Sequence, residues 1–392
     1  MKEVYILSAV RTPIGSFGGS LSSIPATRLG AEAVRGAVSK SGLPPEKIQE
    51  LFMGQVVQAN AGQAPARQVA VYGGLCNKTP CTTVNKVCAS GLKAVMFGAQ
   101  SIQLDQNHIV IAGGMENMSS IPFYLPKARY GYGYGHGELL DGLVRDGLAN
   151  VYDNQAMGCF ADATATKFEI SREDQDSFAI QSYKRTAQAW ENGLFSDEVV
   201  GVEVKDRKGN VTLIAQDEEY KNVNFEKIPG LRPVFTKEGT VTAANASTIN
   251  DGAAALVLAD EATVQKNGIK PLARIVAYAD GAHEPEWFTT APAIAAENAL
   301  KRAGLSIDQI DYFEVNEAFS VVALAFIKHF HLDQTKVNIN GGAVSMGHPL
   351  GCSGARILTT LCHVLHQNNG KYGMAAICNG GGGASAIIIE RY

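Results

Sequence analysis

A layered α/β architecture, built from two similar halves with an excursion inside the first, is what this sequence predicts. Three observations carry that expectation. Runs rich in Val and Ile, such as Ile109-Val110-Ile111-Ala112, alternate with segments of apolar 3–4 spacing, such as Leu29 to Lys40, which is the grammar of mixed layers. The stretch Ala37 to Val57 aligns without a gap against Ala299 to Phe319. Each copy holds a helix end, a Gly-Leu break, a short acidic turn into Ile48 or Ile310, and a strand. Finally, 392 residues at 46% hydrophobic and 18% charged supply cores for roughly two to three domains.

Taken in order, Met1-Lys2-Glu3 leads straight into the strand-like Val4 to Val10, with neither a cleavable leader nor an arginine-rich transit helix; the fold is expected to start where the chain starts. A glycine-containing turn at Cys88-Ala89-Ser90-Gly91 precedes a helix, and strand Ile109 to Gly114 follows. From Ser119 to about Thr242 the texture changes. This region holds the aromatic-glycine run Arg129 to Gly137, read as a loop at a subunit contact, an amphipathic helix Asp174 to Asn192, and the charged, turn-rich Lys205 to Lys227. The first half resumes at Ile249-Asn250-Asp251-Gly252 with strand Ala253 to Leu258. In the second half, Gly351-Cys352-Ser353-Gly354 stands where Cys88 to Gly91 stands in the first, as a turn before a helix, and Ala375 to Gly380 answers Ile109 to Gly114. The expected boundaries are 1–118 with 249–270, then 119–248 as the insertion, then 271–392.

Composition excludes several classes of function. A net charge of -4 argues against a general nucleic-acid surface, so a polyanionic ligand needs a local basic patch. No apolar run approaches the roughly 20 residues of a membrane helix, and a protein free of the membrane is expected. Seven cysteines in a long, core-rich chain favour reduced thiols and a cytoplasmic setting.

Two glycine-dense turns carry reactive groups: Asn340 to Gly351, with His348 between Gly347 and Pro349, and Cys378 followed by Asn379 and Gly380 to Gly383. Glycine lets the main chain approach a ligand closely. Cys88 lies at a strand-to-helix turn, where free N–H groups and the macrodipole favour a thiolate; a buried structural cysteine is the other reading. In a loop with little room for core packing, His348 can take a thiol proton and donate to an oxyanion. Cys378 reads as an acid–base or as a small core filler. Asn316 reads as an N-cap of the apolar helix through Ile327. Cys76, Cys81, Cys159, Cys352 and Cys362 lack zinc spacing and read as structural.

In combination, Val87-Cys88-Ala89-Ser90-Gly91, Asn316-Glu317-Ala318-Phe319, Gly347-His348-Pro349-Leu350-Gly351 and Cys378 to Gly383 resemble the thiolase family. Ala9 to Gly15, Asn245-Ala246-Ser247 and Asn250 to Ala253 add to the match, which spans about the whole chain. Within that family the chain is most similar to short-chain acetyl-CoA acetyltransferases acting on acetoacetyl-CoA.

The resemblance implies a five-layered α/β/α/β/α fold of two duplicated halves with an inserted loop domain. It implies Cys88 as the acyl-carrying nucleophile, His348 as its base, and Cys378 as the group that deprotonates C2 of a second acetyl-CoA. His348 with a water held by Asn316 would form one oxyanion hole, and the N–H groups of Cys88 and Gly380 the other. Bulk in the glycine run would then obstruct a hole. For CoA it implies Ser247 at the pantetheine, Leu231 at the adenine, and Lys227 with Asn222 and Asn224 near the nucleotide. Met157 and Phe319 would border the acyl pocket. Ala156 and Asn222 replace a histidine and an arginine common in relatives, which alters CoA affinity. Tyr183, Ala243, Ala244, Ala246 and Val344 match a potassium site of mitochondrial-type members. No obligatory cofactor is implied; acetyl-CoA, acetoacetyl-CoA and CoA are the partners, and the assembly is a homotetramer, a dimer of dimers. A longer-chain 3-ketoacyl-CoA thiolase and an inactive CoA-binding scaffold are the rival readings.

Overall fold

A computed structural model of the chain describes residues 2–392. In the first half, β1 (Val4–Arg11), α1 (Ala26–Ser41), β2 (Glu50–Gly54), α2 (Pro65–Tyr72), β3 (Cys81–Val84), α3 (Ser90–Gln103) and β4 (Ile109–Asn117) follow one another. An excursion then carries α4 (Met157–Lys167) and α5 (Arg172–Glu191), before β5 (Asn250–Asp260) returns to the sheet. The second half runs β6 (Ala273–Ala282), α6 (Ala291–Ala303), β7 (Tyr312–Val315), α7 (Ser320–Phe330), α8 (Leu350–Gln367), β8 (Tyr372–Asn379) and β9 (Gly383–Arg391).

The two halves repeat one topology. Strand order is β3-β2-β4-β5-β1 in the first and β7-β8-β9-β6 in the second, and β1 meets β6 antiparallel to join them. β2 runs parallel to β4 as β7 does to β8, while the two closing pairs in each half are antiparallel. Even the irregularities match: the ladder slips between Ile6 and Ser8 in one half and between Ile275 and Ala277 in the other. The Gly-Leu breaks of the repeat are left-handed helix ends, with φ of 71° at Gly42 and 67° at Gly304, where a side chain would be strained.

Layering follows from which faces are apolar. Helices α1 and α2 bury their faces on the outer side of the first sheet. On the outer side of the second, α6 and α7 do the same. Between the sheets, α3 and α8 share a core with both, giving helix, sheet, helix, sheet, helix. α8 is buried at every position from Leu350 to Leu365, as a helix enclosed on all sides must be.

The crossing of α3 and α8 is made of glycine. A Cβ on Gly91 would stand 2.8 Å from both the Gly351 carbonyl oxygen and the Ala355 nitrogen, and one on Gly114 or Gly354 would collide with the backbone of Gly351 or Leu92. This corrects the expected turn at Gly351 to Gly354, which is instead the first helical turn of α8. Its glycines serve backbone approach, and that approach brings the N-termini of the two helices together.

The insertion is tied to the core by charge. Arg11, fully buried, donates from Nε to Glu198 at 2.6 Å and from its two terminal nitrogens to Asp217 at 2.7 and 3.0 Å. The α5 helix begins with a capping box between Ser171 and Asp174. Tyr130, at 91% relative exposure, and Tyr134 project from the aromatic-glycine loop. No helix among the described residues is long and apolar enough to cross a membrane.

Candidate active site

Cys88 stands just before α3 on a tightly drawn turn. The Lys86 amide donates to Ser90 Oγ at 2.8 Å, Ser90 Oγ donates to the Val87 carbonyl at 2.5 Å, and the Val87 amide donates to Asn85 Oδ1 at 3.0 Å. These bonds hold Val87 at φ 46°, a left-handed conformation that a β-branched residue adopts only under strain of order 1–3 kcal/mol. The Cys88 sulfur is half-buried, and the backbone N–H groups of Gly380 and of Cys88 itself act to lower its thiol. Burial nonetheless pushes the thiol up to about 12. The helix terminus therefore does not make a resting thiolate, as the sequence suggested; desolvation among apolar side chains outweighs two N–H groups, and Glu116 adds repulsion.

His348 is buried, not a free loop side chain: only 5% of it is exposed. Its amide donates to Asn250 Oδ1 at 3.0 Å, Nδ1 lies 2.6 Å from Ser353 Oγ, and Nε2 has no hydrogen-bond partner. Burial, with Arg356 adding to it, lowers the imidazole to about 3, so the ring is neutral at working pH. Cys378, near the end of β8, is fully buried; burial first and the neighbouring Cys88 second hold its thiol well above the ordinary range.

Asn316 follows β7 and donates its amide to the Ala376 carbonyl at 2.9 Å. Its carboxamide bonds nothing in the protein, and α7 begins only at Ser320, so the N-cap reading is excluded. Gly380 lines the cavity, and the protein leaves room at its Cα. A Cβ there would meet Met157 Cε at 3.5 Å, an ordinary contact. The glycine requirement lies at Gly381 and Gly382, both at φ 86°, and a Cβ on Gly382 would strike the His283 carbonyl.

One cavity of about 410 Å³ gathers Cys88, His348, Gly380, Ser247, Met157 and Phe319. Leu148, Phe235 and Phe288 complete an apolar wall, and Ala156 lies on it at the start of α4. Ser247 donates to the Ala318 carbonyl at 2.8 Å. Cys378 and Asn316 lie outside this lining, both fully buried. Asn222, Asn224 and Lys227 are on exposed turns of the insertion and Leu231 is half-buried there; none of them lines the cavity.

The candidate cation ligands have free oxygens. Among the described residues no hydrogen bond uses the carbonyls of Ala243, Ala244, Ala246 or Val344. Asn245 donates to Asp176 of α5 at 2.8 Å, which ties that turn to the helix carrying Tyr183, and Tyr183 packs with Val344. Carbonyl oxygens with a phenol oxygen are a donor set that suits a large monovalent cation.

Four supporting residues were not singled out from the sequence: Glu116, Asn250, Ser353 and Arg356. Glu116 accepts from the amides of Val56 and Gly351 at 2.9 Å and of Val57 at 3.2 Å. Its signal was an acid inside an otherwise apolar strand. Asn250 lay within a motif quoted only for likeness, and Ser353 and Arg356 recur on one face of α8 without any local mark.

Residues 4–262 match the model of the thiolase N-terminal domain and residues 269–391 that of the thiolase C-terminal domain. The acetyl-CoA acetyltransferase of Schizosaccharomyces pombe is 55% identical over 390 residues, covering 99% of each chain. The human mitochondrial acetyl-CoA acetyltransferase is 53% identical over 392 residues, covering 100% of this chain and 91% of the relative. The crystal structure of Acat5 thiolase from Ascaris suum in complex with coenzyme A superposes with a TM-score of 0.95 at 47% identity, over 100% of both chains.

Proposed function

This chain belongs to the thiolase family, and on that footing we propose that it is an acetyl-CoA acetyltransferase, reversibly converting two acetyl-CoA into acetoacetyl-CoA and CoA through an acetyl group on Cys88. The observation that carries the reading is one cavity that Cys88 and Gly380 line together with His348, whose Nε2 has no hydrogen-bond partner.

The residues then divide the work. Nε2 of His348 takes the Cys88 proton as sulfur attacks the thioester carbonyl, and the N–H groups of Cys88 and Gly380 receive the tetrahedral oxyanion. Collapse expels CoA, which leaves with the proton from His348. Cys378 passes its own proton to His348 and removes one from C2 of a second acetyl-CoA. The enolate oxygen is held by His348 and by a water on the free amide of Asn316. The enolate carbon attacks the acetyl carbonyl, and the Cys88 thiolate set free takes the proton back from His348.

CoA is substrate and product in this scheme, and no cofactor takes part. Ser247 contacts the pantetheine, Leu231 the adenine, and Lys227 with Asn222 and Asn224 the nucleotide, while Met157 and Phe319 border the acyl group. Potassium, held by Tyr183 and the carbonyls of Ala243, Ala244, Ala246 and Val344, would stiffen the turn beside Ser247. The exposed Tyr130 and Tyr134 favour assembly through the insertion into a homotetramer, placed in the cytoplasm. The boundaries 1–118 with 249–270, 119–248 and 271–392 fit the matching strand orders. Thiolysis of acetoacetyl-CoA compared with a C8 3-ketoacyl-CoA tests the short-chain assignment: preference for the longer substrate would replace it with the long-chain thiolase, and inactivity on both with a CoA-binding scaffold.

A further inference from the structure

We propose that Ser353 is a positioning residue that sets the tautomer of His348, taking the ring proton on Nδ1 so that Nε2 is the bare, basic nitrogen in the cavity. The inference deepens the acetyl-transfer reading above and rests on it for its kinetic consequence, but not for its geometry.

The argument is an accounting of hydrogens. Ser353 lies in the first turn of α8, and its hydroxyl is 2.9 Å from the Pro349 carbonyl and 2.6 Å from His348 Nδ1. The hydroxyl donates to the carbonyl, which can only accept, and its single proton is spent on that contact. Oγ is then left with lone pairs toward the ring, and Nδ1 must be the donor. A neutral imidazole carries one N–H, so Nε2 presents its lone pair to the cavity that Cys88 also lines. The main chain that carries the ring is fixed as well, because the backbone N–H of His348 donates to Asn250 Oδ1 at 3.0 Å.

The choice of a hydroxyl matters. A carboxylate at Nδ1 would stabilise an imidazolium, whereas a neutral acceptor does not, and the cation of Arg356 disfavours one further. His348 thus takes a proton and gives it up again readily, as a group that must return protons to CoA and to Cys88 should. Once protonated it donates from both nitrogens: Nδ1 stays on Ser353, and Nε2–H points to where a thioester oxygen becomes an enolate.

The Pro349 carbonyl also accepts from the amides of Cys352 at 3.1 Å and Ser353 at 3.0 Å, so losing the hydroxyl leaves it satisfied. Ser353→Ala should therefore fold, with a melting point lowered by the one buried partner that Nδ1 loses. It should acetylate Cys88 roughly 10- to 100-fold more slowly, with the KM for acetyl-CoA unchanged. Ser353→Thr, which keeps the hydroxyl, should recover most of the rate. The decisive readout is independent of activity: nitrogen-15 NMR of histidine-labelled protein, with the His348 signals assigned by their loss in His348→Ala. A protonated Nδ1 and a bare Nε2 in the wild type, becoming a tautomer mixture in Ser353→Ala, is the expected result. A protonated Nε2 in the wild type would mean that the hydroxyl donates to Nδ1, and would overturn the proposal. Equal acetylation rates in wild type and Ser353→Ala, or failure of Ser353→Thr to rescue, would do so too. If Ser353→Ala does not fold, the wild-type spectrum alone decides. If the protein proves not to acetylate, the tautomer stands or falls on that spectrum while the proposed function fails separately.

Discussion

Glu116 of β4 accepts the Gly351 amide of α8 at 2.9 Å, a single bond between the half that carries Cys88 and the turn that carries His348. The same carboxylate also accepts from Val56 and Val57, so it spans three segments while buried. In Glu116→Gln one oxygen keeps two amides, but an NH₂ then faces the third N–H, leaving buried donors unmatched. The expected cost is about 1–3 kcal/mol by urea denaturation. Acetylation should slow by roughly 10- to 100-fold as the two helix ends lose their mutual position. Wild-type stability and rate in this variant would show that the α3 and α8 glycine crossing positions the site unaided.

The neutral state of His348 predicts a pH dependence with a definite sign. Its folded value, lowered to about 3, lies below the ordinary value of 6.5, so below pH 6.5 the unfolded chain binds a proton that the folded one refuses. Wild-type stability should therefore fall between pH 6.5 and 3 relative to His348→Asn, which has no such group, as read from paired denaturation midpoints. The acetylation rate should show no acid limb near 6.5; a bell with an inflection there would mean that the imidazole is protonated at rest.

Cys378→Ala should separate the two half-reactions. Cys88, its N–H groups and His348 remain, so acetylation should persist. Condensation should drop by about 10²–10⁴, the usual contribution of a positioned acid–base group. Loss of acetylation in this variant, measured by mass, would contradict the division of roles.

Arg11 offers a stability test remote from the chemistry. Arg11→Met leaves Glu198 and Asp217 buried without their cation, and the expected loss is about 3–5 kcal/mol in urea. Replacing all three by apolar residues should restore most of it, because the desolvation penalty goes with the charges. An unchanged midpoint in the single variant would mean that water reaches the two acids.

Much of this was legible in sequence because it is periodic or glycine-marked. The gapless repeat of Ala37 to Val57 with Ala299 to Phe319 reappears as matching helix ends and strands, since helix caps and strand starts are local signals. The pairing of Cys88 with His348 in one cavity was legible only through motif likeness, because 260 residues separate them and their meeting depends on glycines crossing between α3 and α8. The raised Cys88 thiol is not legible in sequence, since a helix terminus that favours a thiolate is visible there and the surrounding apolar wall is not. Ser353 and Glu116 escaped notice for the same reason: their partners are backbone atoms and a ring brought near by folding.

Intact-mass analysis after brief mixing with acetyl-CoA, followed by peptide mapping of wild type and Cys88→Ala, tests the central claim most directly. One acetyl group on Cys88 in the wild type, none in the variant, and release of the adduct by added CoA is the predicted result. A folded wild type that gains no acetyl group, or gains it at another residue, would contradict it.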